Sequence, residues 1–373
     1  MAATTVLAAV ICPPGPPRVG WVAIADGIIV EVGDGRPPGG AHDLGSKILA
    51  PGFIDLQVNG VRDVDFRTAT QEQWRRASNA LARCGTTAFC PTFVSTNLAD
   101  YDAMLTRAAA ARADSAAEPG HASILGIHLE GPFFGGAPGA HRRDVLVPAD
   151  LAWLNALLLT HADLVRVVTL APEADLGLTA TRTLSTAGVI VALGHSTATY
   201  DEAIAAADAG ATVVTHLFNG MGPFHHREPG LVGAALDDDR LTPTLIADLV
   251  HVHPASLRLA IARKANIALV SDVVADDGHD QEAVRTADGR LAGATTLLDR
   301  AVGNVVMLGE SIERAITMAT AVPARVAGFG DRGTIAVGNR ADLVALDPTS
   351  LTVEDVWIAG DHVRDNPRSS VSA

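Results

Sequence analysis

Short apolar runs recur through the middle of the chain, each closed by Gly, Pro or a polar residue and followed by a segment of helix length. The runs at 53–58, 86–94, 124–130, 164–171, 189–194, 212–216, 244–247 and 267–272 read as β-strands. Helical patterns fill gaps between them, at 71–83, 99–112, 148–159, 201–209 and 254–264. Eight strands, each separated by helix-length sequence, predict a distorted (β/α)8 TIM-like barrel over 51–332. The rival is an open doubly wound sheet, which calls for a Gly-rich loop after its first strand; Gln57-Val58-Asn59-Gly60 does not supply one. Linkers at 131–147, 217–240 and 273–296 exceed ordinary turns and read as walls of a substrate site. Residues 1–50 and 333–373 hold short strand-like pieces, neither set large enough to bury its own sheet, so both termini are expected to form one small β-sandwich domain. The run at 6–11 lacks a basic flank and meets Pro13-Pro14, which predicts an edge strand rather than a signal peptide. Residues 365–373 read as a frayed end.

With 373 residues, the chain has room for a barrel and an appendage. Hydrophobic residues make up 48% but aromatics only 4%, so the core must rest on Ala, Val, Leu and Ile. A net charge of −14 speaks against a nucleic-acid partner. It also means that an anionic substrate needs a local basic pocket. Cys12, Cys84 and Cys90 are odd in number and form no Cys-x-x-Cys pair, which points away from disulfides and thiolate zinc sites and towards a reducing cytoplasm. No apolar run is long enough to span a bilayer, so no membrane partner is expected.

Four predicted strands lead to a residue that binds metal or moves protons: Glu130, His195, His216 and Asp272. A parallel barrel gathers such strand ends at one rim. Two imidazoles and a carboxylate suit a zinc ion that keeps a position open for water. A single strand-end His is ordinarily a hydrogen-bonded core residue; three such ends, in segments otherwise devoid of charge, point to a metal. Asp272 reads either as a turn or cap aspartate or as a general base beside the ion. Burial of an unpaired carboxylate is costly, and a neighbouring cation would resolve that cost, which favours the second reading. His128, two residues before Glu130, shares its side of the strand; orienting a ligand and plain packing both stay open. His253 and His279 carry no motif weight, and nothing in the sequence decides the role of Asp55.

Pro51-Gly52-Phe53-Ile54-Asp55, His128-Leu129-Glu130-Gly131-Pro132-Phe133, Gly194-His195-Ser196, Thr215-His216-Leu217-Phe218-Asn219 and Arg227-Glu228-Pro229-Gly230 together resemble the N-acetylglucosamine-6-phosphate deacetylases of the amidohydrolase superfamily. The resemblance continues through Ser271-Asp272, Leu291-Ala292-Gly293-Ala294 and the segments 318–324, 333–335 and 338–343, and so covers nearly the whole chain in order. It implies one divalent ion per subunit on Glu130, His195 and His216, zinc with iron(II) as the alternative, and Asp272 as catalytic acid/base. It implies that His141, Asn219, Gly220, Arg227 and His251 contact a sugar phosphate. On an acidic protein Arg227 and His251 would receive the phosphate, and a guanidinium fork suits its oxygens. It also places the Arg227 loop near the interface of a homodimer, so that this contact can come from the neighbouring chain. Plainer readings stay open: a solvated loop Arg227, a capping or core His251, an exposed His141.

Many superfamily members carry His-x-His at the end of the first strand and hold two metals. This chain has Gln57-Val58-Asn59 there. One tightly bound ion is therefore expected, with Gln57 and Asn59 touching its water or lining the pocket, and a weak second site left open. The expected reaction removes the acetyl group from N-acetylglucosamine 6-phosphate. Deacetylation of the galactosamine epimer, or of another amide, is the enzymatic alternative. A catalytically silent scaffold is the non-enzymatic one, disfavoured because Glu130, His195, His216 and Asp272 are all present.

Overall fold

Thr70 and Thr199 show how polar punctuation between the apolar runs starts helices. Each hydroxyl accepts from the backbone N–H three residues on, and the side chains of Gln73 and Glu202 accept in return from the threonine N–H, closing capping boxes at Gln71–Arg83 and Tyr200–Asp208. In the computed structural model, which describes residues 4–12, 14–117, 120–276 and 283–363, such helices alternate with parallel strands. His279 and the 365–373 tail lie outside the described residues. The barrel strands are Phe53–Val58, Thr86–Val94, Ile127–Glu130, Val165–Leu170, Ile190–Leu193, Ala211–Val214, Thr242–Leu245 and Ala268–Leu269, each paired with the next in chain order. The first and last close the ring just above their ends: the Asp272 N–H donates to the Gln57 carbonyl at 3.0 Å, and the Asn59 N–H to the Val273 carbonyl at 2.8 Å. The fold is a distorted (β/α)8 barrel.

Several elements differ from the sequence expectation. The eighth strand, expected over 267–272, keeps ladder pairing only at Ala268–Leu269, and the chain swings out of strand geometry at Asp272, where φ is 51°. The 217–240 linker contains the helix Gly230–Asp237, and the 273–296 linker contains a hairpin of Ala283–Arg285 with Leu291–Ala294. Helices Thr179–Thr186, Leu298–Met307, Ile312–Ala319 and Ala321–Val326 complete the outer ring.

Strands from both chain ends form one seven-stranded, sandwich-like sheet, running Asp361–His362, Val353–Ile358, Leu343–Leu346, His42–Pro51, Thr5–Ile11, Arg18–Ala25 and Ile28–Asp34. Its own core comprises Leu7, Ile11, Val22, Ile24, Ile29, Leu49, Leu343 and Trp357. Thr5–Ile11 is not the edge strand that its short apolar run suggested. It lies between Arg18–Ala25 and His42–Pro51, and that double pairing explains why it carries no charge. The edges are Ile28–Asp34 and Asp361–His362. No helix among the described residues is long and apolar enough to cross a membrane.

Asp55, fully buried in the first strand, ties the barrel seam from within: its carboxylate accepts from the N–H of Ser271 and of Gln57, both at 3.2 Å. Burial pushes its carboxyl up to about 7, against about 3.9 in the unfolded chain. A group that holds its proton more tightly when folded favours the fold at low pH, and that contribution is lost as pH rises from about 4 through 7. In urea unfolding, Asp55→Asn should therefore gain on the parent by about 1–3 kcal/mol between pH 5 and pH 8. A difference that stays constant with pH would contradict this assignment.

Candidate metal centre

Glu130 is the last residue of its strand, opposite Val94 and Thr169 of the neighbouring strands. The chain turns at once at Gly131, where φ is 89° and a Cβ would lie 2.2 Å from Ser95 Oγ, so the position accepts only glycine. His195, His216 and Asp272 themselves adopt left-handed backbone, with φ of 51°, 31° and 51°. Such conformations are costly for non-glycine residues and persist where surrounding structure enforces them, commonly at functional sites.

The three expected ligands converge. His195 Nε2 lies 3.1 Å and His216 Nε2 3.0 Å from Glu130 Oε1, and the two nitrogens are 3.1 Å apart. All three residues are buried. Phe134 stacks on His195 with ring centroids 4.2 Å apart, which fixes the imidazole plane. Burial alone would raise the Glu130 carboxyl, but the hydrogen bonds with His195 and His216 outweigh it and hold the group well below the usual carboxylate range. Burial pushes His195 down. His216 is drawn up, since Glu130 overcomes the opposing effect of burial. Donors about 2.0–2.1 Å from one ion at tetrahedral angles sit about 3.3 Å apart, close to this triangle. Two imidazole nitrogens and an ionised oxygen facing one another in a buried space fit a single small divalent cation.

Asp272 stands beside this triangle at the barrel seam. Its Oδ1 accepts from Asn59 Nδ2 at 2.8 Å and from Gln57 Nε2 at 3.0 Å, and the same Gln57 nitrogen donates to Glu130 Oε1 at 2.8 Å. Ionised carboxylates only accept, so the Gln57 amide must turn its NH2 to them, one hydrogen to each. Burial pushes the Asp272 carboxyl up to about 6, with the Glu130 charge adding to the rise and His216 and Asn59 opposing it. His141 Nδ1 accepts from the Ser95 N–H at 3.3 Å, which leaves the ring proton on Nε2, 3.9 Å from Glu130 Oε2. Burial and the neighbouring His195 push His141 down to about 3, which keeps its ring neutral. His128 turns away from the ligands. Its Nδ1 donates to the Leu56 carbonyl at 3.1 Å, its Nε2 accepts from the Thr169 hydroxyl at 2.7 Å, and the Thr169 oxygen lies 2.8 Å from Thr215 Oγ1. It is a tie between strands inside the barrel.

These groups face a cavity of about 430 Å³, which Asn59, His141, Asn219, Gly220, His251 and Asp272 also line. Gly220 has φ of 58°, and a Cβ there would come within 2.8 Å of His195 Nδ1. Arg227 is not brought to this cavity within its own chain. It lines a separate hollow of about 570 Å³ with Thr197, Tyr200 and His225, and its Nη1 lies 2.9 Å from His226 Nε2. Arg67, Arg142 and Arg290 also line the cavity, and sequence reasoning missed all three. Each pairs with an aspartate two residues away, Asp65, Asp144 and Asp288, a spacing typical of any exposed loop. Arg290 also donates to the Gly139 carbonyl at 2.8 Å and so joins the Ala283–Ala294 hairpin to the His141 loop. A ligand bound only by the folded state raises stability. Zinc added to metal-stripped protein should accordingly raise its unfolding temperature, and Glu130→Gln should abolish most of that rise and leave well under one ion per chain by elemental analysis. Equal loading in parent and variant would contradict the ligand set.

The amidohydrolase family profile matches residues 48–363. The chain is 38% identical over 367 residues to an N-acetylgalactosamine-6-phosphate deacetylase of Escherichia coli O157:H7, covering 91% of this chain and 95% of that protein. It is 37% identical over 356 residues to the human N-acetylglucosamine-6-phosphate deacetylase, covering 86% and 85%. Among solved structures, a mutant N-acetylglucosamine-6-phosphate deacetylase from Mycobacterium smegmatis, bound to N-acetylglucosamine 6-phosphate, superposes with a TM-score of 0.90 at 32% identity, covering 97% of this chain and 99% of that one. The corresponding deacetylase from Pasteurella multocida gives a TM-score of 0.90 at 26% identity, covering 96% and 99%. The chain belongs to the amidohydrolase family.

Proposed function

We propose that this protein hydrolyses the acetamide of N-acetylglucosamine 6-phosphate to glucosamine 6-phosphate and acetate. The observation that carries the reading is the meeting of Glu130, His195 and His216 with Asp272 in one cavity. The relatives act on both sugar epimers by name, so the galactosamine 6-phosphate derivative is the second substrate to test.

Glu130, His195 and His216 would hold a divalent cation, zinc first and iron(II) second, which would supply Lewis acidity and lower the pKa of a water. Asp272 takes a proton from the attacking water, with its Oδ1 held by Gln57 and Asn59. His141, with its proton on Nε2, donates to the acetyl carbonyl oxygen as negative charge develops there. Asp272 then returns its proton to the departing amine. Gln57 donates to both carboxylates and so keeps Asp272 beside Glu130. Asn219, Gly220 and His251 hold the sugar phosphate. Arg227 reaches it from the neighbouring chain of a homodimer, which accounts for its distance from the cavity of its own chain. In this reading residues 51–332 carry the chemistry, and 1–50 with 333–373 form the supporting β domain. Three free cysteines, two buried and one half-buried, suit a cytoplasmic location.

Acetate release should be seen with 6-phosphorylated N-acetylhexosamines and be far weaker without the phosphate; comparing kcat/KM across the two epimers assigns the sugar. No release from either sugar phosphate by zinc- or iron-loaded protein would end the proposal. Asp272→Asn should keep its metal while kcat falls by about 10³-fold or more; a loss of only a few-fold would remove Asp272 from proton transfer. Arg227→Ala should raise KM for the phosphorylated sugar about tenfold or more with little effect on the unphosphorylated one. Equal effects on both would place Arg227 outside the phosphate site.

A further inference from the structure

Beyond the seventh barrel strand, Thr242–Leu245, the chain makes a short turn that ends on His251, and Asp248 organises it. Through Oδ1 the Asp248 carboxylate accepts from the backbone N–H of Val250 at 2.9 Å and of His251 at 2.8 Å; through Oδ2 it meets His251 Nδ1 at 2.6 Å. Leu249 takes left-handed backbone, φ 67°, to let the turn close. Asn304, from the helix Leu298–Met307, donates to the Ala247 carbonyl at 2.8 Å and anchors the turn from outside. The side chains of Asp248 and His251 are 0% and 4% exposed, so neither is free to reorient in solvent.

Burial alone would raise the Asp248 carboxyl, but the hydrogen bond and charge of His251 outweigh it and hold the group below its usual range. An ionised carboxylate only accepts, so His251 Nδ1 carries a proton. Nδ1 is taken up by Asp248, and the ring lines the same cavity as Asp272.

We propose that Asp248 is a positioning residue for the phosphate end of the substrate: it fixes the His251 ring with Nδ1–H turned inward and Nε2 presented to the cavity. The inference rests on the reading that His251 meets the sugar phosphate. A hydrogen bond between Nε2 and a phosphate oxygen needs one proton, which either the imidazole or the phosphomonoester brings. With a carboxylate behind the ring the bond is charge-assisted in both cases. A ring held in advance also avoids the cost of ordering it on binding.

In zinc-loaded full-length protein, ¹⁵N-histidine NMR should show His251 protonated at Nδ1; a ring unprotonated there overturns the proposal without any variant. Asp248→Asn keeps an oxygen for the turn and presents an amide NH2 to the ring, so it should move the proton to Nε2. With N-acetylglucosamine 6-phosphate, KM should rise about tenfold while kcat stays within about threefold of the parent, and KM for the unphosphorylated sugar should not move. Adding Asp248→Asn to His251→Asn should cost nothing further, because Asp248 acts through the ring. A moved proton with unchanged KM, equal rises in KM for both sugars, or a fully additive loss in the double variant would each reduce Asp248 to a turn cap and overturn the proposal. If His251→Asn alone leaves KM for the phosphorylated sugar unchanged, the substrate contact itself is wrong and the inference falls with it.

Discussion

A carboxylate oxygen and two imidazole nitrogens, each from a different barrel strand, crowd within 3.1 Å of one another in a buried space. Left to themselves, such groups are expensive to bury. The barrel brings them together anyway, through left-handed backbone at His195 and His216 and a glycine directly after Glu130. Mutual hydrogen bonds offset part of that cost, and a shared cation would offset more. Phe134 stacks on the His195 ring and His141 meets it edge-on, which holds that imidazole in place.

Glu130 and Asp272 would repel each other in this space, and the first strand answers that with amides rather than imidazoles. One NH2 of Gln57 spans both carboxylates and Asn59 adds a second donor to Asp272, so the aspartate is held without being neutralised. Because Asp272 sits at the junction of the first and last strands, closure of the barrel and placement of its carboxylate are one structural event: the Asp272 N–H also donates to the Gln57 carbonyl.

The strand ends were legible in the sequence because Glu130, His195, His216 and Asp272 interrupt runs with almost no other charge. The barrel was legible for the same reason, through its eight apolar runs. The helix Gly230–Asp237 was not, since Leu231 to Leu236 are all buried and no polar face marks a helical period. Nor was the interior place of Thr5–Ile11, because one of its neighbours in the sheet, His42–Pro51, pairs in turn with a strand from the far end of the chain. The Gln57 bridge joins residues 73 and 215 positions away, and no local pattern announces a contact of that range. Asp248 escaped notice because an aspartate in a turn is ordinary; only its geometry with His251 sets it apart.

Anomalous X-ray diffraction at the absorption edge of the loaded metal examines the triangle itself. One strong peak should lie about 2.0–2.2 Å from Glu130 Oε1, His195 Nε2 and His216 Nε2 together, with Asp272 alongside but not among the nearest donors. A peak elsewhere in the cavity, or none in active protein, would contradict the assignment of these three side chains.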